Sequence, residues 1–161
     1  MAAPVHSQEL HSFLLPHKHR PGTDLMSKHV LLDPTVMGIV IDTVVSPEAK
    51  KQYSPWPTEW VDGNRSDVLY IPNTHNDELH PIIVEVQHTV NNDFILRLMS
   101  YAISAYREHN KRPLIVITFA VSSIKYEVTK KTIRNKRHPF LLQYPSQPWA
   151  HRCYLIDNHS I

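Results

Sequence analysis

Two apolar runs dominate the chain, and a helical pattern separates them. The first, IIVEVQHTV, covers residues 82–90, and the second, LIVITFAVSSI, covers residues 114–124. Apolar runs of this length, rich in β-branched residues, are typical of strands buried on both faces of a sheet. A strand, helix, strand connection of this length predicts a right-handed parallel crossover, so the two strands should be neighbours.

The segment between these runs has the period of an amphipathic helix. An Asn or Asp at residues 91–93 can cap its start, and the sequence at 111–113, which includes Pro113, ends it. One stripe at the spacing i, i+3, i+4, i+7 should be buried. Its members are Ile95, Leu98, Met99, Ala102 and Tyr106.

Two shorter strand patterns precede the first apolar run. TEWVDG, residues 58–63, and SDVLYI, residues 66–71, are joined by the turn signal Gly63-Asn64. Residues 50–57 are predicted to be a linker into these strands. The polar connector at residues 72–81 is expected at the surface, and the strands on either side of it can pair as a hairpin.

The segment TVMGIVIDTVV follows an N-cap signal, Asp33-Pro34, and ends at Ser46-Pro47. Its start is typical of a helix, because a proline fits the first helical position. Its many β-branched residues fit a strand equally well. The residues alone leave both alternatives open.

One polar pair interrupts the first apolar run. Glu85 and Gln87 alternate with Val84 and Val86, so the two polar side chains should share one face of the strand. An ionised carboxylate is costly to bury alone, so Glu85 should be paired, hydrogen-bonded or bound to a cation. Asp67, on the preceding predicted strand, is the obvious neighbour, and two converging carboxylates suit a hard divalent cation. The alternative is that both acids are hydrogen-bonded core residues.

Arg97 and Tyr101 lie four residues apart on another face of the predicted helix, soon after Gln87 in the chain. The tyrosine can support the arginine, which can then reach a phosphate or Glu85. A solvated arginine beside a half-buried tyrosine is the alternative.

Taken in order, Asp67 in SDVLY, Glu85 and Gln87 in IIVEVQ, and Arg97 and Tyr101 in FILRLMSY resemble the motifs of the PD-(D/E)XK nuclease superfamily. They are most similar to its Rpn-like branch of recombination-promoting nucleases and transposase-associated proteins. The resemblance implies an α/β fold with a restriction-endonuclease-like core. That core is a mixed central sheet with flanking helices in the order αβββαβ, followed here by a C-terminal strand. The resemblance also favours a helix for the segment after Asp33.

The resemblance also implies a metal-dependent nuclease that hydrolyses phosphodiester bonds, with DNA favoured over RNA. Asp67, Glu85 and the backbone carbonyl of Val86 would hold Mg²⁺ or Mn²⁺, Gln87 would orient the attacking water, and Arg97 would steady the phosphate.

In this superfamily the first helix often adds an acid to the site. Asp42 or Glu48 is the candidate here, and a solvent-facing acid is the alternative for each.

The chain departs from the commoner motif at Gln87, where the superfamily often has Lys. A glutamine can orient water or phosphate by hydrogen bonds, but it brings no positive charge. The alternative function is therefore a non-catalytic module of the same fold that binds nucleic acid or a protein partner. The sequence leaves open whether the chain forms a homodimer.

Composition indicates one ordinary globular domain. The chain has 161 residues, of which 42% are hydrophobic and 20% charged, enough for one core and too few for two usual domains. We assign residues 1–23 to an irregular, histidine-rich arm and residues 24–161 to the domain. No run is apolar enough to span a membrane, and no secretory signal opens the chain. A single cysteine, Cys153, interpreted as a small buried residue, fits an intracellular protein of nucleus or cytoplasm.

The net charge of +2 is unevenly distributed. Between Lys125 and His138, six basic residues stand against one acid, Glu127. Such a cluster can neutralise phosphates, and a solvated, partly disordered loop is the alternative. The candidate nucleic-acid contacts are Arg97, Tyr101, Lys130, Lys131, Arg134, Lys136 and Arg137.

Overall fold

The computed structural model of the protein describes residues 21–56 and 68–159. Its helices are α1 (Pro21–Leu32), α2 (Pro34–Val44), α3 (Asn92–Glu108) and the short α4 (Tyr126–Thr129), with a 3₁₀ turn at Pro47–Ala49. Its strands are β1 (Tyr53–Trp56), β2 (Val68–Pro72), β3 (Ile82–Val90), β4 (Ile115–Ile124), β5 (Ile133–Arg134), β6 (Leu142–Tyr144) and β7 (Arg152–Asp157).

All seven strands belong to one mixed sheet with the order β1-β2-β3-β4-β7-β6-β5. The central strands β3, β4 and β7 are parallel, and the outer pairs on both sides are antiparallel. The predicted α/β class with a mixed central sheet and flanking helices is therefore confirmed. Within the described residues, no helix combines the length and apolar character needed to cross a bilayer.

The pairing of β3 with β4 follows the prediction from the two apolar runs. Ile82 lies opposite Ile115 and Glu85 lies opposite Thr118, in parallel register. Helix α3 makes the connection between them. The long connection that parallel pairing requires is thus supplied by the amphipathic helix.

Each face of the sheet carries its own core. On one, here called the α3 face, residues such as Ile83, Val116 and Leu155 pack with the buried stripe of α3. On the other, here called the α2 face, Val84 and Ile117 pack with residues of α1 and α2. Successive residues of β3 thus alternate between two buried layers, which explains why its sequence lacks a polar alternation.

The segment after Asp33 is a helix, as the resemblance favoured. The Asp33 carboxylate accepts hydrogen bonds from the backbone N–H groups of Thr35 (2.9 Å) and Val36 (3.3 Å), and Pro34 occupies the first turn. The N-cap and proline therefore outweigh the strand preference of the β-branched residues. Two of these, Val40 and Ile41, pack in the α2-face core.

Helix α3 begins as predicted and ends earlier. Asn91 caps it by accepting a hydrogen bond from the N–H of Phe94 (2.9 Å), and its core-facing residues include Ile95, Leu98 and Ala102, with Met99 and Tyr106 packed against them. The helix ends at Glu108 because Asn110 and Lys111 adopt positive φ angles of 59° and 54°. A left-handed conformation at these positions stops the helix before Pro113.

Two predictions near the N-terminus need correction. The predicted linker contains a strand, β1, at Tyr53–Trp56. Its Pro55 is tolerated because β1 is the outermost described strand on that side, where a missing N–H donor breaks no ladder. The predicted strand at 58–63 lies outside the described residues, as do residues 1–20 of the predicted arm; the last three residues of that arm, 21–23, begin α1.

The C-terminal half contains more strands than predicted. The final strand is confirmed as β7, but β5 and β6 were missed because two or three residues carry no recognisable period. The second apolar run is buried on both faces only in its first half. Because β7 ends opposite Ala120, the continuation of β4 loses that neighbour, and Val121 is 58% exposed.

Cys153 is fully buried in the α3-face core. Burial raises the pKa of its thiol, which keeps the group protonated and unreactive. Its predicted role as a small apolar core residue is confirmed.

Two leucines of α3 provide a matched test of this packing. Leu98 is completely buried, whereas Leu96 is 63% exposed. We expect Leu98→Ala to lower the free energy of unfolding by roughly 2–5 kcal/mol, because it leaves a cavity between helix and sheet. Leu96→Ala should change it by less than about 0.5 kcal/mol. Urea unfolding followed by circular dichroism measures both, and equal losses would contradict the assigned orientation of α3.

Candidate active site

Glu85 and Gln87 lie on the α3 face of β3. Val84 and Val86 pack on the α2 face, so the predicted alternation is confirmed. Glu85 is only 6% exposed, and Gln87 is half-buried. The sheet thus holds a carboxylate inside the protein, with an amide two residues further along the same strand.

Helix α3 brings Arg97 to this pair. The Arg97 Nη2 atom lies 3.5 Å from Oε1 of Gln87, a long hydrogen bond, and the guanidinium lies 5.6 Å from the centroid of the Phe94 ring. Tyr101 is half-buried one turn further on and packs against the α3-face core. Sequence analysis overlooked Phe94, whose ring lies one turn before Arg97 and offers its face to the cation.

The β3–β4 register is irregular close to Gln87. Gln87 pairs with Ala120, but Thr89 pairs with Ser123, so β4 carries one extra residue there. The Gln87 Nε2 atom donates a hydrogen bond to the carbonyl oxygen of Thr89 (3.2 Å), which fixes the amide across this irregularity. Bulges of this kind are common beside active sites, because they re-aim side chains.

Thr118 is a neighbour of Glu85 that sequence analysis missed. The parallel register places it directly opposite Glu85, and its side chain alternates to the same face, between Val116 and Ala120. Its hydroxyl is fully buried and finds no hydrogen-bond partner in the part of the chain that the structure describes. The available signal was that Thr118 is the one polar residue in the buried half of its strand.

The second carboxylate of the predicted metal site, Asp67, lies outside the described residues. Val68, the residue after it, pairs with Val84, the residue before Glu85. Among the described residues, no group of three or more His, Cys, Asp or Glu side chains is arranged to hold a metal ion. Val86, predicted to supply a carbonyl oxygen, is half-buried on the strand between Glu85 and Gln87.

Asp42 belongs to a different part of the structure from this cluster. It lies on α2, which packs on the opposite face of the sheet, and its carboxylate forms an ion pair with Lys50 (3.2 Å). Glu48 is exposed in the 3₁₀ turn that follows. The described contacts therefore associate neither acid with Glu85.

The basic segment is folded. It forms α4 and β5. After β5 comes a turn in which Asn135 accepts hydrogen bonds from the N–H groups of Arg137 (3.0 Å) and His138 (2.9 Å). Lys130, Lys131, Lys136 and Arg137 lie in the turns around these two elements. The side chains predicted to contact nucleic acid from this segment are all exposed: Lys130, Lys131, Arg134, Lys136 and Arg137.

Two contacts attach the basic segment near the candidate site. Lys125 donates its backbone N–H to the carbonyl oxygen of Val90 at the end of β3 (2.8 Å). Asn92, in the first turn of α3, donates to the Glu127 carboxylate (2.7 Å). The cations therefore begin at the same end of β3 as Gln87 and Arg97.

Models of known protein families, curated protein sequences and solved structures were compared with the chain, and none of them matches it.

The buried hydroxyl of Thr118 yields a stability prediction. Thr118→Val replaces an unpartnered hydroxyl with a methyl group of similar size, so we expect the free energy of unfolding to rise by about 1 kcal/mol. Thr132→Val is the matched control: its hydroxyl donates to the carbonyl oxygen of Thr129 (2.7 Å), and its removal should cost about 1 kcal/mol. Chemical unfolding compares the two. A decrease of more than about 1 kcal/mol in Thr118→Val would mean that the hydroxyl is hydrogen-bonded in solution.

Proposed function

We propose that this protein is a metal-dependent nuclease with a PD-(D/E)XK core. Its elements α2, β1, β2, β3, α3 and β4 follow the order αβββαβ, with an antiparallel β1-β2-β3 meander and a parallel β3–β4 pair. The observation that carries the proposal is the approach of Arg97 to Gln87 beside the buried Glu85. The motif in the sequence groups these three residues, and the contact between Arg97 and Gln87 supports that grouping.

The donor atoms at this position suit a hard cation. The Glu85 carboxylate and the Val86 carbonyl are oxygen donors of the kind that Mg²⁺ and Mn²⁺ prefer, and Glu85 is held where few waters can reach it. The buried Thr118 hydroxyl opposite it adds a polar atom that a metal-bound water can use. The proposal requires Asp67 to extend β2 by one residue, which would set it opposite Glu85 in the antiparallel register.

The bound cation would polarise a phosphodiester and lower the pKa of a coordinated water. Gln87 would orient the attacking water through its amide, which Thr89 and Arg97 hold in place. Arg97 would balance the charge on the phosphate. The Phe94 ring would limit the positions that the Arg97 guanidinium adopts. Tyr101 would support the helix face that carries Arg97. Water would form the new bond to phosphorus as the bond to the leaving oxygen breaks.

The basic segment would bind the backbone of the substrate. Its exposed cations continue from the end of β3 where Gln87 lies, and such charges bind phosphates of any sequence. DNA is the proposed substrate because the motifs resemble those of the Rpn-like branch. A DNA substrate implies an intracellular location. A homodimer would double the basic surface.

A second candidate function is a non-catalytic module of the same fold that binds nucleic acid or a protein. Both ends of the Gln87 amide already have partners within the protein, Thr89 and Arg97. A glutamine used in this way stabilises the strand end without acting on a substrate, and it brings no charge to a phosphate.

The nuclease proposal predicts that Glu85→Gln abolishes cleavage. The substitution keeps the shape of the side chain and removes the charge that binds the cation, so stabilisation by Mn²⁺ should disappear with it. The matched control is Glu78→Gln, an exposed acid in the β2–β3 connector, which should retain both properties. Cleavage of single- and double-stranded DNA and RNA with Mg²⁺, Mn²⁺ or EDTA, together with thermal unfolding, measures the effect.

Gln87→Lys completes this experiment. A lysine restores the charge of the commoner motif, so in a working site it should support cleavage at least as fast as the wild type. Equal cleavage by wild type and Glu85→Gln would refute the nuclease proposal. Absence of cleavage in wild type and in Gln87→Lys, with nucleic-acid binding intact, would favour the binding module.

The basic segment predicts a salt effect. Neutral replacements of Lys130, Lys131 and Lys136 should weaken DNA binding and reduce the slope of log K against log[salt] by nearly one unit for each phosphate that is no longer neutralised. Lys28 and Lys51, which lie outside the segment, provide control substitutions. Fluorescence anisotropy across a salt series gives the slopes, and an unchanged slope would assign the segment to the solvated surface.

A further inference from the structure

A polar cleft of about 310 Å³ lies beside the candidate active site. It is lined by Thr129, Thr132, Arg134, Leu142, Asp157 and His159. The cleft is bounded by α4, the turn after it, β5, β6 and the end of β7. Its volume falls at the lower end of the range for small-molecule sites, about 300–1,000 Å³.

The sheet fixes where this cleft lies. Gln87 pairs with Ala120, and Ala120 pairs with Asp157, so one row of residues crosses three parallel strands. Two strand spacings separate Gln87 from Asp157, which is about 10 Å between their Cα atoms. Asp157 alternates to the α3 face because Ile156, before it, packs on the α2 face. The cleft and the Glu85, Gln87, Arg97 cluster therefore share a face and a level of the sheet.

The cleft exists because β7 is short. It ends at Asp157 while β4 continues to Ile124, and the basic segment returns over the gap through α4 and β5. Val128 of α4 and Leu142 of β6 are buried in the α3-face core, which holds the cleft walls in place. The walls of the cleft are therefore anchored in the hydrophobic core.

The lining combines a carboxylate, a guanidinium, two threonine hydroxyls and an imidazole with an apolar wall. The Asp157 carboxylate is oriented by a hydrogen bond that it accepts from the N–H of His159 (3.0 Å). The Arg134 guanidinium is oriented through Nη1, which donates to the carbonyl oxygen of Pro139 (3.0 Å). Leu142 supplies an apolar surface. Flat heteroaromatic ligands with both donor and acceptor edges match this combination.

We propose that the cleft binds an unpaired guanine base of the nucleic-acid substrate, an inference that rests on the proposed function. Guanine has a donor edge, N1–H and N2–H₂, from which a carboxylate can accept hydrogen bonds. It also has an acceptor edge, O6 and N7, which arginine binds in bidentate fashion. The exposed Lys130 and Lys131 lie in sequence between two lining threonines. In this proposal their side chains contact the phosphates on either side of the base. The separation of about 10 Å between Asp157 and Gln87 places the base close to a phosphate at Gln87.

Binding to short thymidine oligonucleotides that contain one central guanine, inosine or adenine tests this proposal. The Glu85→Gln protein is used, so that cleavage does not interfere, and fluorescence anisotropy is the measurement. The guanine strand should bind about tenfold more tightly than the adenine strand, as expected for one specific base contact. The inosine strand, which lacks the N2 amino group, should fall between them.

Two variants locate the preference. Asp157→Asn should narrow the difference between guanine and inosine strands, because the amide keeps one acceptor oxygen and replaces the other with an N–H₂ donor. Thr132→Phe fills the cleft and should abolish discrimination among all three strands. Thr35→Phe, the same change at an exposed position on α2, should retain it. Far-ultraviolet circular dichroism checks that each variant is folded, and Thr132→Phe keeps the test valid if Asp157→Asn misfolds.

The outcomes separate this inference from the nuclease proposal. Metal-dependent cleavage with equal affinity for guanine and adenine strands would overturn the guanine site alone. A guanine preference that persists in Thr132→Phe would also overturn it. A preference that disappears in Thr132→Phe and is kept in Thr35→Phe supports it even in a protein that does not cleave. Failure to bind any oligonucleotide would overturn both proposals.

Discussion

The parallel pairing of β3 with β4 is the constraint on which the remaining structure depends. It requires a connection that passes over the sheet, and α3 supplies it with a stripe of buried side chains. The same connection sets Arg97 above Gln87 and leaves the start of α3 beside the end of β4, where Asn92 binds Glu127. One topological requirement thus fixes the helix packing, the polar cluster and the starting point of the basic segment.

Much of this arrangement was predictable from local pattern. The two apolar runs identified β3 and β4, and the cap at Asn91 identified the start of α3, because burial on both faces and helix capping act over short stretches of chain. Thr118 was not predictable as a neighbour of Glu85, since a parallel register depends on the packing of the whole crossover. β1 was not recognised in the sequence because it contains Pro55. β5 and β6 were not recognised because they are very short, and strands of this length form only by pairing with neighbouring strands. The end of α3 was misplaced because positive φ angles at Asn110 and Lys111 leave only a weak trace in sequence.

The candidate site shows why a carboxylate is found in the interior of a sheet. A buried acid costs stability unless other groups compensate for the lost water. On the same face, Thr118 lies opposite Glu85 on β4, and Gln87, which Arg97 of α3 contacts, lies two residues further along β3. The first three residues of β3 are apolar and buried, so the polar pair lies further along the strand, towards the end where Lys125 donates to Val90. One strand thus carries a buried carboxylate and, two residues later, a half-buried amide.

The two outermost strands that the structure describes have a further consequence. β1 has four residues including Pro55, and β5 has two residues, one of them Arg134. Short edges that carry proline or charge resist the addition of another chain by backbone hydrogen bonding, the route by which exposed sheets aggregate. Of the described edges, neither offers a template for domain swapping or fibril growth. Association between copies through either of these two described edges is therefore disfavoured.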